Sequence, residues 1–191
     1  MPVRRFLPVA LGAFLTACSS TPLIDVPPSP TPEPTPVLEL GDFDPEGDFE
    51  VFDPCTEIPP EVLAEAGLGE PVREPYYDGN MSVLCSFVPS NIQIPGVFSL
   101  VGDRNTRTKL EEWGLILDGS PRTDLQGTYL HAMPGDVGND CSAAVHTNRG
   151  RFVVKYGEIL TERSRIELCD IATNTLEQIT ATLGENSGNL P

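Results

Sequence analysis

The clearest periodic pattern of the chain lies near its C-terminus. Apolar residues recur there at the three- and four-residue spacing of one helix face, and they are Leu168, Ala172, Leu176, Ile179 and Leu183. Ser164 and Glu167 have the spacing of a capping box, so we expect the helix to begin at this point. Gly184 is predicted to end it, because glycine readily adopts the left-handed conformation that follows many helices.

Strand patterns fill the centre of the chain. Apolar runs and alternations, bounded by turn-forming residues, predict strands over residues 82–88, 92–101, 123–133, 141–147 and 151–156. The last two flank Asn148-Arg149-Gly150, a sequence typical of a hairpin turn. The strands together with the long final helix predict an α+β domain. We expect an antiparallel β-sheet with that helix packed on one face.

Two short helices complete the predicted domain. One runs from Pro59 to Gly67, because proline suits a first helical turn and glycine a helix end. Thr108 and Glu111 have capping-box spacing for the other, which Gly114 would end. The globular domain is thus predicted over residues 49–184, followed by a polar, disordered tail over residues 185–191.

The first seventeen residues have the organisation of an export signal. Arg4 and Arg5 precede an uncharged, mostly apolar stretch, Phe6–Ala17, whose helix would reach only about 18 Å of the roughly 30 Å needed to span a bilayer. The stretch leads into Leu15-Thr16-Ala17-Cys18, which resembles the lipobox of bacterial lipoproteins. The resemblance implies cleavage before Cys18 and acyl chains such as palmitate on that residue, hence a lipid anchor on the extracytoplasmic face of the cell membrane. An ordinary signal peptide with an unrelated cysteine is the alternative.

Residues 18–48 are predicted to form an acidic, proline-rich tether. Seven prolines between residues 22 and 36 favour extended polyproline II, which would hold a domain away from lipid. From Cys18 to Val72 the chain has thirteen acidic residues and no lysine or arginine. Without residues 1–17 the formal charge is −18, from 10 basic and 28 acidic residues. Such a charge argues against nucleic acid as a partner.

Five cysteines are an odd number, and lipid on Cys18 would leave four for two disulfides in an oxidising compartment. Three pairings of four cysteines are possible. We favour Cys55 with Cys85 and Cys141 with Cys169, and each of these bonds would close a loop of about thirty residues and contribute roughly 3–4 kcal/mol.

An acidic stretch between the tether and the domain has the spacing of a calcium-binding loop. Oxygen ligands at loop positions 1, 3, 5, 7, 9 and 12, with glycine at position 6, are supplied by Asp42, Asp44, Glu46, Asp48, Glu50 and Asp53. Against calcium, Asp53 replaces the usual glutamate, Pro45 stiffens the loop, and no flanking helices are predicted. A solvated, acidic end of the linker is the interpretation that we favour.

Short motifs follow one another in a recognisable order. They are Phe52-Asp53-Pro54-Cys55-Thr56-Glu57-Ile58-Pro59, then Cys85-Ser86-Phe87, Asp140-Cys141 and Leu168-Cys169-Asp170. Together they resemble the DUF3558 domain of actinobacterial lipoproteins, over roughly residues 50–183. The resemblance implies a location and an architecture but no reaction. The chain is also distantly similar to two-disulfide extracellular sensor domains of mycobacterial receptor kinases, which supports the cysteine pairing and a binding role.

No catalytic residue and no cofactor is predicted. His131 and His146 alternate with apolar residues in predicted strands, and no nucleophile or metal motif accompanies them. The sequence therefore favours a non-enzymatic lipoprotein that binds an envelope protein or a cell-wall component. The alternative is a carrier of a small apolar ligand or lipid between the sheet and the last helix. A hydrolase is disfavoured, because no nucleophile–base pair can be named.

Overall fold

One antiparallel sheet of seven strands organises the residues that the computed structural model describes, which are 38–91, 95–135, 138–160 and 162–185. The sheet order is β1-β3-β4-β7-β6-β5, and β2 pairs with β3 beside β1. The elements in chain order are α1 (Pro60–Glu65), β1 (Leu68–Pro71), β2 (Tyr76–Asp78), β3 (Ser82–Pro89), β4 (Val97–Asp103), α2 (Arg107–Glu112), β5 (Tyr129–His131), β6 (Asp140–Thr147), β7 (Gly150–Gly157) and α3 (Arg165–Glu185). The predicted export signal, Cys18, the tether up to residue 37 and the tail from residue 186 lie outside the described residues.

The long helix α3 packs on one face of the sheet, as the sequence predicts. The backbone N–H of Ser164 donates to Glu167 Oε2 at 2.7 Å, so the predicted capping box begins the helix. All five residues of the predicted apolar face are fully buried. Gly184 does not end α3, which continues to Glu185, so that prediction was wrong. None of the described helices is long and apolar enough to cross a bilayer.

Two disulfides tie the outer elements to the sheet with the favoured pairing. Cys141 of β6 is bonded to Cys169 of α3, with Cα atoms 4.9 Å apart. Cys55, ahead of α1, is bonded to Cys85 of β3, with Cα atoms 5.7 Å apart. The predicted α+β class, the antiparallel sheet, the packed C-terminal helix and the two disulfides are all confirmed.

The central hairpin forms where the turn sequence predicts it. Strands β6 and β7 pair from Asp140↔Gly157 to Thr147↔Gly150, which leaves Asn148 and Arg149 as the loop. Gly150 has φ +98°, and a Cβ there would lie 2.5 Å from the carbonyl oxygen of Asp103. Only glycine fits this turn without strain, because the conformation is left-handed and the backbone of β4 is close.

Elements away from this hairpin differ more from the prediction. Strand β5 covers only Tyr129–His131 of the predicted 123–133, because the hydroxyls of Thr123 and Thr128 hydrogen-bond locally to Leu125 and hold a turn. Strand β4 extends to Asp103, and residues 92–94 of its predicted start lie outside the described residues. The edge strands β1 and β2 were not predicted, since each is short and largely exposed.

The second short helix also begins earlier than predicted. Thr106 is the N-cap of α2, and its hydroxyl accepts a hydrogen bond from the backbone N–H of Lys109. Thr108 therefore lies inside the helix. Glu111 forms an ion pair with Arg107 at 2.9 Å and takes no part in a capping box.

The packed part of the chain begins before the predicted boundary at residue 49. Leu38 is buried in the main core, and Leu40 forms a β-bridge with Thr147. Arg104 then holds the following segment, because its guanidinium donates to the carbonyl oxygens of Pro45 at 3.1 Å and Gly47 at 2.8 Å. Residues 38–48 thus pack on the domain, although the sequence placed them in the tether.

Candidate functional site

The family-like motif around Asp53 builds one wall of a surface groove. Asp53 accepts hydrogen bonds from the backbone N–H of Cys55 at 2.8 Å and from the hydroxyl of Thr56 at 2.9 Å, which closes a tight turn ahead of α1. The hydroxyl of Tyr77 on the edge strand β2 donates to the same carboxylate at 3.1 Å. Asp53 therefore joins the motif to the edge of the sheet.

A second contact fixes the motif to the central hairpin. Arg149, in the two-residue loop between β6 and β7, donates to both carboxylate oxygens of Glu57, at 2.6 and 2.8 Å. The hydrogen bonding of Arg149 to Glu57 is the main reason that the pKa of Arg149 is raised above its usual value. Arg149 also donates to the carbonyl oxygen of Glu50 at 3.1 Å. A bidentate pair fixes the relative orientation of a guanidinium and a carboxylate, because two parallel hydrogen bonds join the two planar groups. Arg149 and Glu57 therefore hold this wall of the groove in a defined geometry.

Between these walls lies the acidic groove, a surface depression of about 780 Å³. Its lining includes four carboxylates, an exposed aromatic ring and two further polar side chains: Asp48, Glu50, Asp53, Glu57, Tyr77, Asn80 and Arg149. The one arginine in this lining is paired with Glu57, so three carboxylates dominate the charge. The groove is therefore suited to a cationic ligand.

An apolar cleft of about 760 Å³ is lined by both cysteines of the Cys55–Cys85 disulfide. Apolar side chains of α1, β1 and β3 line it, among them Leu63, Leu68 and Phe87. Thr56 lines both the groove and the cleft, so the two depressions adjoin. A partner that occupied both would meet carboxylates at one end and an apolar surface at the other.

Exposed apolar side chains accompany the groove along this edge of the sheet. Val72, Tyr76, Tyr77 and Met81 are each more than half exposed; Tyr76 and Tyr77 lie on β2, Met81 lies in the turn that follows it, and Val72 directly follows β1. Strand β2 is exposed along its whole length, and among the strands that the structure describes it pairs with β3 alone. Aromatic side chains beside an open edge strand are typical of surfaces that bind another protein.

The two histidines lie on the opposite face of the sheet from α3. His131 is buried, and its Nε2 lies 3.3 Å from Nη1 of Arg151, whose guanidinium also forms a bidentate pair with Asp103. Burial and, secondly, the charge of Arg151 lower the pKa of His131 to about 4. His146 accepts a hydrogen bond from the backbone of Arg107 at 3.3 Å. These contacts give both histidines a structural role.

The calcium candidates do not converge on one point. Asp42, Asp44, Glu46, Asp48 and Glu50 are all exposed, and the residues between them are partly buried against the domain. Asp53 faces the turn that it caps. Among the residues that the structure describes, no three carboxylate, histidine or cysteine side chains are close enough to hold a metal ion. The structure thus offers no support for the calcium-loop hypothesis.

Sequence reasoning missed most of the groove. It singled out Asp48 and Glu50 only as calcium candidates, assigned Asp53 to the calcium candidates and the family-like motif, placed Arg149 in a hairpin turn without a binding role, and did not assign Tyr77. The sequence offered only a weak signal for Arg149: residues 18–72 contain no basic residue, so any basic partner of Glu57 in the exported protein would come from beyond Val72. Which basic residue it would be depended on the fold.

Comparison with known families identifies the domain. The model of the family described as "Protein of unknown function (DUF3558)" matches residues 13–182. The chain is a member of the DUF3558 family. No curated protein and no solved structure shows a significant match to it. The acidic groove of this DUF3558 protein is built on the motif that carries the family resemblance, because Asp53, Thr56 and Glu57 line the groove and all lie within that motif.

Proposed function

We propose that this DUF3558 protein is an extracytoplasmic lipoprotein of an actinobacterium, anchored to the cell membrane through Cys18. In its acidic groove it binds a basic segment of an envelope protein. What supports the anchor is the lipobox-like sequence that ends at Cys18. What supports the binding role is the groove itself, about 780 Å³ in volume and dominated by carboxylates. The protein's strong net negative charge favours a cationic partner over any other.

A binding role is proposed in preference to catalysis. His131 and His146, the side chains best suited to general acid–base chemistry, are engaged in structural contacts on the other face of the sheet. The four cysteines of the domain form disulfides, so none supplies a thiolate. The acidic groove, in contrast, offers charge, an aromatic ring and an open strand edge, which are features of a recognition surface.

Site-directed photo-crosslinking in the native envelope tests the groove. A benzoylphenylalanine at Tyr77 would lie inside it, and the same group at Trp113 is a matched control, since both side chains are about half exposed and Trp113, the C-cap residue of α2, does not line the groove. We expect a protein with a basic segment to be captured from position 77 and not from position 113. Equal capture from both positions, or none from position 77, would overturn the proposal.

The charge of the groove can be tested with paired variants. Asp48→Asn with Glu50→Gln removes two exposed carboxylates that line the groove, and Glu61→Gln with Glu65→Gln removes two exposed carboxylates from α1. Capture should fall in the first variant and persist in the second. If both variants lowered capture equally, the effect would come from net charge and not from the groove.

The anchor has its own test. Cys18→Ser should abolish incorporation of labelled palmitate and move the protein from the membrane fraction to the medium or the soluble fraction. Labelled acyl chains that remained on the Cys18→Ser protein would exclude Cys18 as the lipid site. This result is independent of the groove, because the two proposals rest on different residues.

A further inference from the structure

A separate pocket lies between α3 and the segment that precedes β5. It has a volume of about 310 Å³, at the small end of the range for ligand pockets. Leu117 and Pro121 form one wall, and Ile166, Cys169 and Thr173 of α3 form the other. We call it the α3 pocket. It shares no lining residue with the acidic groove, so its occupancy does not depend on the proposed function.

The α3 pocket contains a buried hydroxyl without a hydrogen bond. Thr173 is 1% exposed, and its Oγ1 has no partner in the structure. A threonine inside a helix usually donates to the carbonyl four residues earlier, and Thr180 of the same helix does so to Leu176 at 2.9 Å. Thr173 differs from Thr180 in this respect. Because a buried polar group without a partner is destabilising, a ligand whose polar group reached this hydroxyl would be stabilised by the hydrogen bond.

Charges near the pocket are balanced. Arg122 forms an ion pair with Asp170 at 3.0 Å, and both residues line the pocket. Asp118 and Arg165, which also line it, again have opposite charges. The protein as a whole is strongly negative, so an anionic ligand would be repelled at long range. These charges favour a ligand with no net charge.

The geometry points to a binding site for a small, uncharged, mainly apolar ligand that carries one hydrogen-bonding group. The apolar part contacts Leu117, Leu130 and Ile166, while the polar group hydrogen-bonds to the hydroxyl of Thr173. An aromatic alcohol or a short-chain alcohol has this chemistry. The ligand would enter past Ile166, which is well exposed at the outer end, and reach Thr173 and Cys169, which are buried at the inner end.

Three fluorescent probes of one shape test this assignment on the purified protein: 2-naphthol, naphthalene and 2-naphthoate. We expect 2-naphthol to bind about tenfold more tightly than naphthalene, because one additional hydrogen bond typically raises affinity by about a factor of ten. Tighter binding of 2-naphthoate than of 2-naphthol would overturn the assignment to an uncharged ligand. Failure of 2-naphthol to bind at millimolar concentration would overturn the site for aromatic alcohols.

Variants of two threonines on the same helix test where the probe binds. Thr173→Val keeps the shape and removes the hydroxyl, so it should weaken 2-naphthol about tenfold and leave naphthalene unchanged or tighter. Thr180→Val is the matched control, because that hydroxyl is already bonded to Leu176, and it should change neither affinity. Ile166→Trp should block entry of both probes. Equal losses in the two threonine variants, or full binding in Ile166→Trp, would contradict the proposal.

Discussion

Lowering the pH from 7.5 to 5 should destabilise the folded protein through His131. This side chain is buried, and Nε2 faces the guanidinium of Arg151, which can only donate a hydrogen bond. Nε2 must therefore accept, and the hydrogen of the neutral ring lies on Nδ1, which donates to the carbonyl oxygen of Ala132 at 3.0 Å. Protonation of Nε2 would break this arrangement and place two buried positive charges side by side.

The size of the effect follows from the difference in pKa between the two states. In the folded protein the pKa of His131 is lowered to about 4, whereas in the unfolded chain it has its ordinary value near 6.5. Between these values the unfolded state binds a proton that the folded state does not bind. Stability is therefore complete above about pH 6.5 and is lost as the pH falls towards 4. At pH 5 the loss amounts to about 2 kcal/mol of the free energy of unfolding.

Urea unfolding at pH 7.5, 6.5, 5.5 and 5 would measure this loss, with the disulfides intact. The His131→Gln variant keeps a donor and an acceptor at this position but cannot titrate, so its stability should change by about 2 kcal/mol less than that of the native protein over this range. His146→Gln measures the contribution of the other histidine to the pH dependence. Burial also lowers the pKa of His146, and Asp42 partly offsets that shift. An identical pH dependence in the native protein and in His131→Gln would refute this reasoning.

Three further predictions concern stability and metal binding. Replacing Cys141 and Cys169 together by serine should lower the free energy of unfolding by about 3–4 kcal/mol, measured by urea titration at constant pH. Gly150→Ala should cost at least about 2 kcal/mol, because its Cβ would approach the Asp103 carbonyl and its φ is positive, and Gly79→Ala, whose Cβ would meet open space, should cost less. Calorimetry with millimolar calcium should show no binding heat from the segment 42–53, and saturable heat that disappeared on neutralising its carboxylates would contradict this.

Local patterns in the sequence were sufficient for the main elements of the fold. The apolar spacing from Leu168 to Leu183 and the capping box at Ser164 specify α3, because both signals act within a few residues. The turn at Asn148-Arg149-Gly150 specifies the central hairpin for the same reason. The pairing of the four cysteines was favoured from the sequence but not determined by it, because three pairings were possible and only the fold brings Cys55 to Cys85 and Cys141 to Cys169.

Features that depend on distant residues were decided only by the tertiary structure. Arg149 and Glu57 are 92 positions apart, and nothing in either local sequence names the other as its partner. The same holds for Arg104 and the segment 45–49, whose packing on the domain moved residues 38–48 out of the predicted tether. A proline-rich or acidic composition predicts the local conformation and solvation of a segment. It does not predict whether a distant guanidinium, such as that of Arg104, will donate hydrogen bonds to the carbonyl oxygens of that segment.

The candidate binding sites follow the same division. The sequence supplied three of the four carboxylates of the acidic groove in an alternating acidic stretch, but the structure turned most of that stretch outward and joined Asp53 and Glu57 to Tyr77 and Arg149. Thr173 is an ordinary helix residue in the sequence, and only its neighbours in space leave its hydroxyl without a partner beside a pocket. The sequence by itself determined the elements and the charge of this protein, because those depend on near neighbours and composition. The tertiary structure decided the groove and the pocket, because those depend on which surfaces the fold brings together.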